Sequence, residues 1–104
     1  MAKALPPDLD DIIKALAHPV RRDILQWLKT PQRSFPGQQH SFELGVCAGQ
    51  IFERSGLSQS TVSNHLAILQ RTGLVTPRKV GQWIFYSRND ALIAEFLRRI
   101  QSDL

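Results

Sequence analysis

The spacing of apolar positions predicts a mainly helical chain. Apolar residues recur at helical spacing over about residues 8–17 and again over 19–29. Pro19 separates the two helices, because the residue before a proline is pushed out of helical geometry. Prolines and carboxylates between residues 6 and 11 suit the start of the first helix. Residues 30–40 read TPQRSFPGQQH, and their prolines, glycine and polar side chains predict a loop.

The middle of the chain has the pattern of two helices joined by a tight turn. Residues 41–44 are predicted to form a short extended segment, and residues 46–54 a short helix. That helix is expected to end at Ser55 and Gly56, since glycine readily adopts the left-handed conformation found just past helix ends. This glycine-containing turn leads directly into a second helix.

The second helix of this pair, over residues 58–71, combines an apolar stripe with an unusual polar face. Ser58 provides a side-chain oxygen suited to an N-cap, and the helix is predicted to stop before Gly73. Val62, Leu66 and Leu69 face inward at helical spacing. The outward side is small, polar and almost uncharged; it carries Ser60, Asn64, Ala67 and Arg71, flanked by Gln59, Thr61 and Ser63.

The carboxyl-terminal third predicts a hairpin and a last helix. Residues 74–79 and 83–87 are β-prone runs around a tip at 80–82, and Trp83, Phe85 and Tyr86 are expected in the hairpin core. A cap at Asn89 and Asp90 begins a helix over about 90–103. The fold class is therefore mainly α with a small β-hairpin wing. We predict a single winged helix-turn-helix domain of about five helices over residues 1–104.

This order of elements suits a protein that reads double-stranded DNA, since one helix can enter the major groove while its neighbour braces it. A solvent-facing helix normally carries Lys and Glu, whereas Gln, Asn, Ser and Thr can bond base edges. The alternatives are that these side chains only cap and solvate the helix, and that the hairpin tip is merely exposed. The candidate DNA-binding residues are Ser58, Gln59, Ser60, Thr61, Ser63, Asn64, His65 and Arg71 on the helix and Arg78, Lys79 and Gln82 at the wing.

Two stretches of this sequence resemble a known family. The segment GLSQSTVSNHLAILQRTGLV, from Gly56 to Val75, resembles the recognition segment of ArsR/SmtB-type repressors, and LAHPVRRDIL, from Leu16 to Leu25, resembles their opening helices. The resemblance extends from about Ile12 to Ala91. It implies a homodimeric winged helix that binds a near-palindromic operator and releases it when an inducer binds. By position it assigns DNA contacts to Gln59, Ser60, Thr61, Ser63 and Asn64.

The histidine of this segment is set apart from the polar face. Many family members carry a second histidine beside the one that matches His65, whereas this chain has Asn64 there. Helix geometry places His65 at the edge of the apolar stripe, near Leu66 and Leu69. A packed or phosphate-contacting role is therefore favoured over base readout.

The sequence lacks the residues of the two metal sites that are common in this family. The arsenic-type site of the family uses Cys-Val-Cys, where this chain has Gly45, Val46 and Cys47. The other common site needs histidine in the last helix, and residues 90–104 contain none. We therefore expect no metal and no cofactor, with the inducer unidentified. Cys47 is a candidate redox residue that either responds to oxidants or pairs across a dimer; the alternative is a buried, inert thiol.

The terminal helices predict a dimer. They carry more apolar surface than a three-helix core and a wing should hide, and a second copy can cover the excess. The predicted interface residues are Leu9, Ile12, Ile13 and Leu16 in the first helix and Leu92, Ile93, Phe96 and Ile100 in the last.

Composition agrees with this interpretation. Thirteen Lys and Arg against nine Asp and Glu give a formal charge of +4, which favours a polyanionic partner such as DNA. A single cysteine excludes internal disulfides, and the sequence has neither a signal peptide nor a long apolar run, so a cytoplasmic location without membrane contact is expected. No motif of an enzyme is present. The second hypothesis is a winged-helix module that binds another protein without reading DNA.

Overall fold

The predicted fold class, mainly α with a small β wing, is confirmed, with six helices in place of about five among the described residues. The computed structural model describes residues 9–104, and the helix start predicted at residues 6–8 lies outside them. Within the described residues there are six α-helices and a three-stranded antiparallel sheet in the order β1-β3-β2. The helices are α1 (Leu9–Leu16), α2 (Pro19–Lys29), α3 (Pro31–Ser34), α4 (Ala48–Ser55), α5 (Gln59–Arg71) and α6 (Asp90–Asp103). The strands are β1 (Val46–Cys47), β2 (Val75–Val80) and β3 (Trp83–Arg88).

Part of the predicted loop at residues 30–40 is instead the short helix α3. A proline stands in its first turn, where the missing N–H costs nothing. Just after it, Phe35 is buried and meets the Trp27 ring edge-on at 6.3 Å. The guanidinium of Arg54 lies 5.0 Å from the Trp27 ring centre, and its Nη1 donates to the Ser34 carbonyl at 2.9 Å. These contacts stabilise α3, and the contact with Arg54, which is 20 positions from Ser34, is not predicted by any local sequence pattern.

The predicted extended segment at residues 41–44 is wrong: a 3₁₀ turn occupies Phe42–Leu44, and the strand comes later, at Val46–Cys47. The helix predicted from residue 46 accordingly begins at Ala48. Gly45 explains the shift, because it has a φ of 104° and packs directly on β3. A Cβ at this position would lie 2.8 Å from the Tyr86 carbonyl oxygen. The close approach lets Val46 pair with Tyr86.

The helix-turn-helix has the ends that were predicted for it. Gly56 ends α4 in the left-handed conformation with a φ of 70°. The Ser58 hydroxyl caps α5 by accepting from the Thr61 N–H at 3.2 Å. At the other end, the Leu74 N–H donates to the Leu69 carbonyl at 2.9 Å, and the Gly73 N–H to the Gln70 carbonyl at 3.0 Å, which is the Schellman pattern. Both ends of α5 are therefore fixed by local hydrogen bonds.

The base of the hairpin is anchored from both of its faces, because Phe85 and Tyr86 are consecutive residues of β3. Phe85 is almost fully buried and Tyr86 half-buried, as expected. Trp83 was predicted in the hairpin core but is 44% exposed, because it lies beside the tip, where its ring meets only His40 at 5.0 Å among described aromatic rings. The tip of the hairpin therefore projects beyond the core and is partly apolar.

The predicted dimer residues need correction, because three of them lie inside the core of the chain itself. Ile12 is 0%, Ile93 9% and Phe96 7% exposed, so they have little surface left for a partner. All three belong to the one cluster of buried apolar side chains that forms the core of the chain. Within α1 and α6, the large apolar side chains left exposed are Ile13 at 43% and Leu97 at 57%, and Leu97 was not in the predicted set. Leu9, Leu16, Leu92 and Ile100 are half-buried.

None of the helices between residues 9 and 104 combines the length and the apolar character needed to cross a bilayer.

Candidate nucleic-acid interface

The helix α5 presents a continuous polar face to solvent. Val62, Leu66 and Leu69 anchor its inner side in the core and are at most 1% exposed. Every predicted outward side chain is exposed, so the helix is rigidly seated on one side and free on the other. The exposed residues are Gln59, Ser60, Thr61, Ser63, Asn64, Ala67 and Arg71.

Two of the candidate residues are engaged with each other at the start of α5. The Ser58 hydroxyl accepts from the Thr61 N–H and donates to the Thr61 hydroxyl oxygen at 2.8 Å. Ser60 Oγ lies 3.4 Å from Ser58 Oγ. Ser58 is thus primarily a cap, whereas Gln59 and Asn64 are exposed and stand outside this cap. Gln59 follows the cap directly, and the exposed side chains of Ser63 and Asn64 follow about one turn further along the same helix.

The structure brings the wing and the start of α5 to one cleft. A space of about 440 Å³ is lined by Gln59 and Ser63 from α5 and by Gln82 and Ile84 from the wing. The cleft also reaches Cys47 at the start of α4. Helix and wing thus form one continuous surface, as two-point contact with a duplex requires.

The two wing cations lie on opposite faces of the hairpin. Arg78 pairs with Phe85 and Lys79 with Ile84, and cross-strand partners share a face. Lys79 therefore lies on the side of Ile84, and Arg78 lies on the side of Phe85. The cleft beside α5 is lined by Ile84 and Tyr86 from the first side and by Trp83 from the second. Both cations are exposed. The sequence alone did not distinguish Arg78 from Lys79, whereas the strand register places their side chains on opposite faces of the hairpin.

His65 does not belong to the exposed face. It is 6% exposed, and its Nδ1 accepts a hydrogen bond from Arg21 Nε at 3.1 Å. The ring of His18 lies 4.5 Å away, centre to centre. Burial, followed by the charges of His18 and Arg21, lowers the pKa of His65 below its ordinary value. The packing role favoured from the sequence fits this position, and we leave His65 out of the proposed base contacts.

Cys47 is buried at 8% exposure, in keeping with the inert alternative; its reactivity stays a prediction. Among residues 9–104, no three His, Cys, Asp or Glu side chains lie together as a metal site would need.

Sequence reasoning missed Arg21. Its only signal was membership of the basic pair Arg21-Arg22, and its partner lies 44 positions away in the chain. No local pattern links two such residues, because the packing of α2 against α5 creates the contact.

The comparisons with known proteins agree with this geometry. Residues 46–76, which span α4, the turn, α5 and the first residues of β2, match the model of the family described as bacterial regulatory protein, arsR family. A Bacillus subtilis protein described as an uncharacterized HTH-type transcriptional regulator, YbzH, is 38% identical over 93 residues, covering 85% of this chain and 93% of that protein. The chain belongs to the ArsR family. The resemblance found from the sequence is thereby confirmed.

Further relatives of this ArsR-family regulator point the same way. The Bacillus subtilis transcriptional repressor SdpR is 29% identical over 87 residues, covering 84% of this chain and 82% of that protein. A crystal structure of an ArsR family transcriptional regulator superposes with a TM-score of 0.71 over 99% of this chain and 92% of that one; at 18% identity it shows the common fold. The family and these relatives are transcriptional regulators with a DNA-binding helix-turn-helix, and the expectation of a non-enzyme is confirmed.

Proposed function

We propose that this ArsR-family regulator binds a near-palindromic operator as a homodimer and represses transcription from it. The single observation that carries the proposal is the exposed, almost uncharged polar face of α5, which lies opposite a fully buried apolar stripe. A helix with this composition has poor intrinsic helicity, so tertiary packing maintains it and its surface is available for recognition.

Each part of the surface has a distinct task in this proposal. The amides of Gln59 and Asn64 offer a donor and an acceptor, the pair that adenine presents in the major groove. The hydroxyls of Ser60 and Ser63 bond base edges or phosphates. Lys79 and Arg78 neutralise phosphates beside the groove, which supplies salt-dependent affinity. Gln82, at the same cleft as Gln59, reaches the backbone or the minor groove.

Dimerisation through the terminal helices places two α5 helices on one face of the duplex. A two-fold dimer requires them to lie about 34 Å apart, one helical turn of DNA. Leu97 and Ile13 are the apolar side chains that the single chain leaves exposed on α6 and α1, and a second copy can cover them. Repression then follows from occupancy of the operator, as in the relative named a transcriptional repressor. Such a protein acts in the cytoplasm, where prokaryotic DNA is found.

The signal that releases the operator is proposed to be something other than a metal at the two familiar family positions. Cys47 lacks a second thiol two residues earlier, where Gly45 stands, and α6 contains no histidine. Zinc or arsenite titration of the operator complex tests this directly. We expect no change in affinity at stoichiometric metal, and a loss of binding would overturn the proposal.

Selection of bound duplexes from random DNA, repeated at about 50 and about 200 mM salt, tests the proposal as a whole. We expect a palindromic consensus and an affinity that falls steeply with salt. A run-off transcription assay on a promoter that carries the consensus should then show repression, and activation would contradict that part. No enrichment and no salt dependence would instead fit the protein-binding module.

A further inference from the structure

The contact between α2 and α5 brings together three basic side chains, of which His65 is buried, Arg21 half-buried and His18 exposed. Arg21 Nε donates to His65 Nδ1 at 3.1 Å, and Arg21 Nη1 donates to the Ala15 carbonyl at 3.3 Å. One guanidinium thus connects the end of α1, the first turn of α2 and the middle of α5. His18, whose Nδ1 caps α2 by accepting from the Val20 N–H at 3.3 Å, places its ring against that of His65.

We propose that Arg21 and His65 form a positioning clamp that holds α5 in its DNA-binding pose, and that the clamp opens when His65 takes up a proton. The inference rests on the proposed function, because it concerns the pose of the helix that reads the operator. Both are positioning residues: neither touches DNA in this arrangement.

The chemistry of the contact makes it sensitive to protons. An arginine nitrogen always donates, so His65 Nδ1 must accept, and the imidazole must be neutral with its proton on Nε2. A second proton would go to Nδ1 and remove the acceptor. It would also place a cation 3.1 Å from a guanidinium at a side chain that is 6% exposed. Like charges at such a distance repel, and α5 then separates from α2.

The charged groups near His65 do not favour its protonation. From the α2 side, His18 and Arg21 face His65, and both disfavour its protonation. A cleft of about 400 Å³ beside Arg21 is lined by Asp11 and Lys14 of α1 and Arg71 of α5. Asp11 is therefore the carboxylate that lines the same cleft as Arg21. The pKa of His65 is held below its usual value, so the clamp is closed at neutral pH and opens on acidification.

The clamp predicts a pH dependence opposite to simple electrostatics. Protonating a histidine near DNA ordinarily strengthens binding, because a cation is added beside phosphates. If the clamp exists, protonation of His65 favours one pose of α5 and operator binding favours another, so each weakens the other. By reciprocity, binding DNA must lower the pKa of His65 further, whereas simple proximity to phosphates would raise it.

Affinity measurements on full-length variants test the clamp, using the duplex recovered by selection at about pH 7.5. From about pH 7.5 to about pH 5.5, we expect the Kd of the wild type to rise more than that of His65→Asn, by a factor below about ten because the pKa of His65 is lowered. Asparagine keeps an acceptor near the position of Nδ1 and does not titrate, so His65→Asn should bind as well as wild type at the higher pH. Arg21→Lys keeps the charge but cannot make both bonds, and should bind weakly at both pH values.

The chain has only three histidines, so each of them can be replaced in turn as a control. His40→Asn removes the histidine beside Trp83, and His18→Asn keeps a capping acceptor while removing the neighbouring ring. His40→Asn should keep the full pH dependence of the wild type. Equal pH profiles for wild type and His65→Asn would overturn the clamp.

Nitrogen NMR of the histidine rings gives a readout that does not need DNA. In the free protein we expect His65 to be neutral at about pH 7, with the proton on Nε2 and a bare Nδ1; a proton on Nδ1 would overturn the clamp. With the selected duplex bound, the pKa of His65 should fall, and a rise would also overturn it. Failure of the random-DNA selection would instead count against the proposed function, while the free-protein measurement still decides the clamp.

Discussion

Removing the hydroxyl that caps α5 should lower stability by an amount that can be derived from its contacts. Ser58 Oγ accepts from the Thr61 N–H at 3.2 Å and is the side-chain cap of the helix. In Ser58→Ala that N–H has only water as a partner, and loss of such a cap costs about 1 kcal/mol. For a chain of this size, this corresponds to a decrease in Tm of roughly 4 to 8 °C.

Two matched variants at the same position separate the cap from the DNA contact. Ser58→Gly should cost only a few tenths of a kcal/mol, because glycine is an acceptable N-cap. Ser58→Asp keeps an acceptor and adds a negative charge at the positive end of the helix, so stability should equal or exceed that of the wild type. The same charge faces DNA phosphates, so its operator affinity should fall.

Urea unfolding followed by circular dichroism, at one fixed protein concentration, measures these differences. If Ser58→Ala unfolds at the same urea concentration as the wild type, the cap contributes nothing and the reasoning is refuted. If Ser58→Asp binds DNA as tightly as the wild type, the start of α5 does not face phosphates.

Two other predictions concern the wing and the dimer. Lys79→Ala should reduce the slope of log affinity against log salt concentration by about 1. Arg78→Ala, on the opposite face of the hairpin, should reduce this slope by less. Competition binding at several salt concentrations measures both slopes, and equal slopes for the two variants would refute the assignment of faces. Leu97→Glu should shift sedimentation towards the monomer and weaken operator binding, since it places a charge on the most exposed apolar side chain of α6 apart from the terminal Leu104. Ala91→Glu adds the same charge to an exposed position of the same helix, about 1.7 turns earlier and about 120° around the helix axis, and should leave both unchanged. If Leu97→Glu sediments as the wild type does, Leu97 is not in the interface.

Local signals predicted the elements that carry function. The bounds of α5 and α6 follow from a serine cap, an asparagine cap and apolar residues at helical spacing, and the structure shows both caps bonded as expected. The hairpin followed from two β-prone runs around a glycine. The polar face of α5 needed no tertiary information either, because the inward stripe determines what is left outside.

Long-range contacts explain what the sequence did not predict. The helix α3 depends on Phe35, Trp27 and Arg54, which lie far apart in the chain. The burial of Ile12, Ile93 and Phe96 depends on how the terminal helices pack, and helical periodicity alone does not distinguish a core from an interface. The contact of Arg21 with His65 likewise exists only once α2 and α5 are packed.

Base discrimination by Gln59 tests the central claim most directly. Operator affinity should be measured for Gln59→Ala against the selected duplex and against every single base-pair change in it, with Gln39→Ala, an exposed glutamine outside α5, as the control. The account predicts a loss of about 1 to 3 kcal/mol that is confined to one base pair, at which the variant no longer discriminates. Unchanged affinity, or a loss spread evenly over all base pairs, would contradict it.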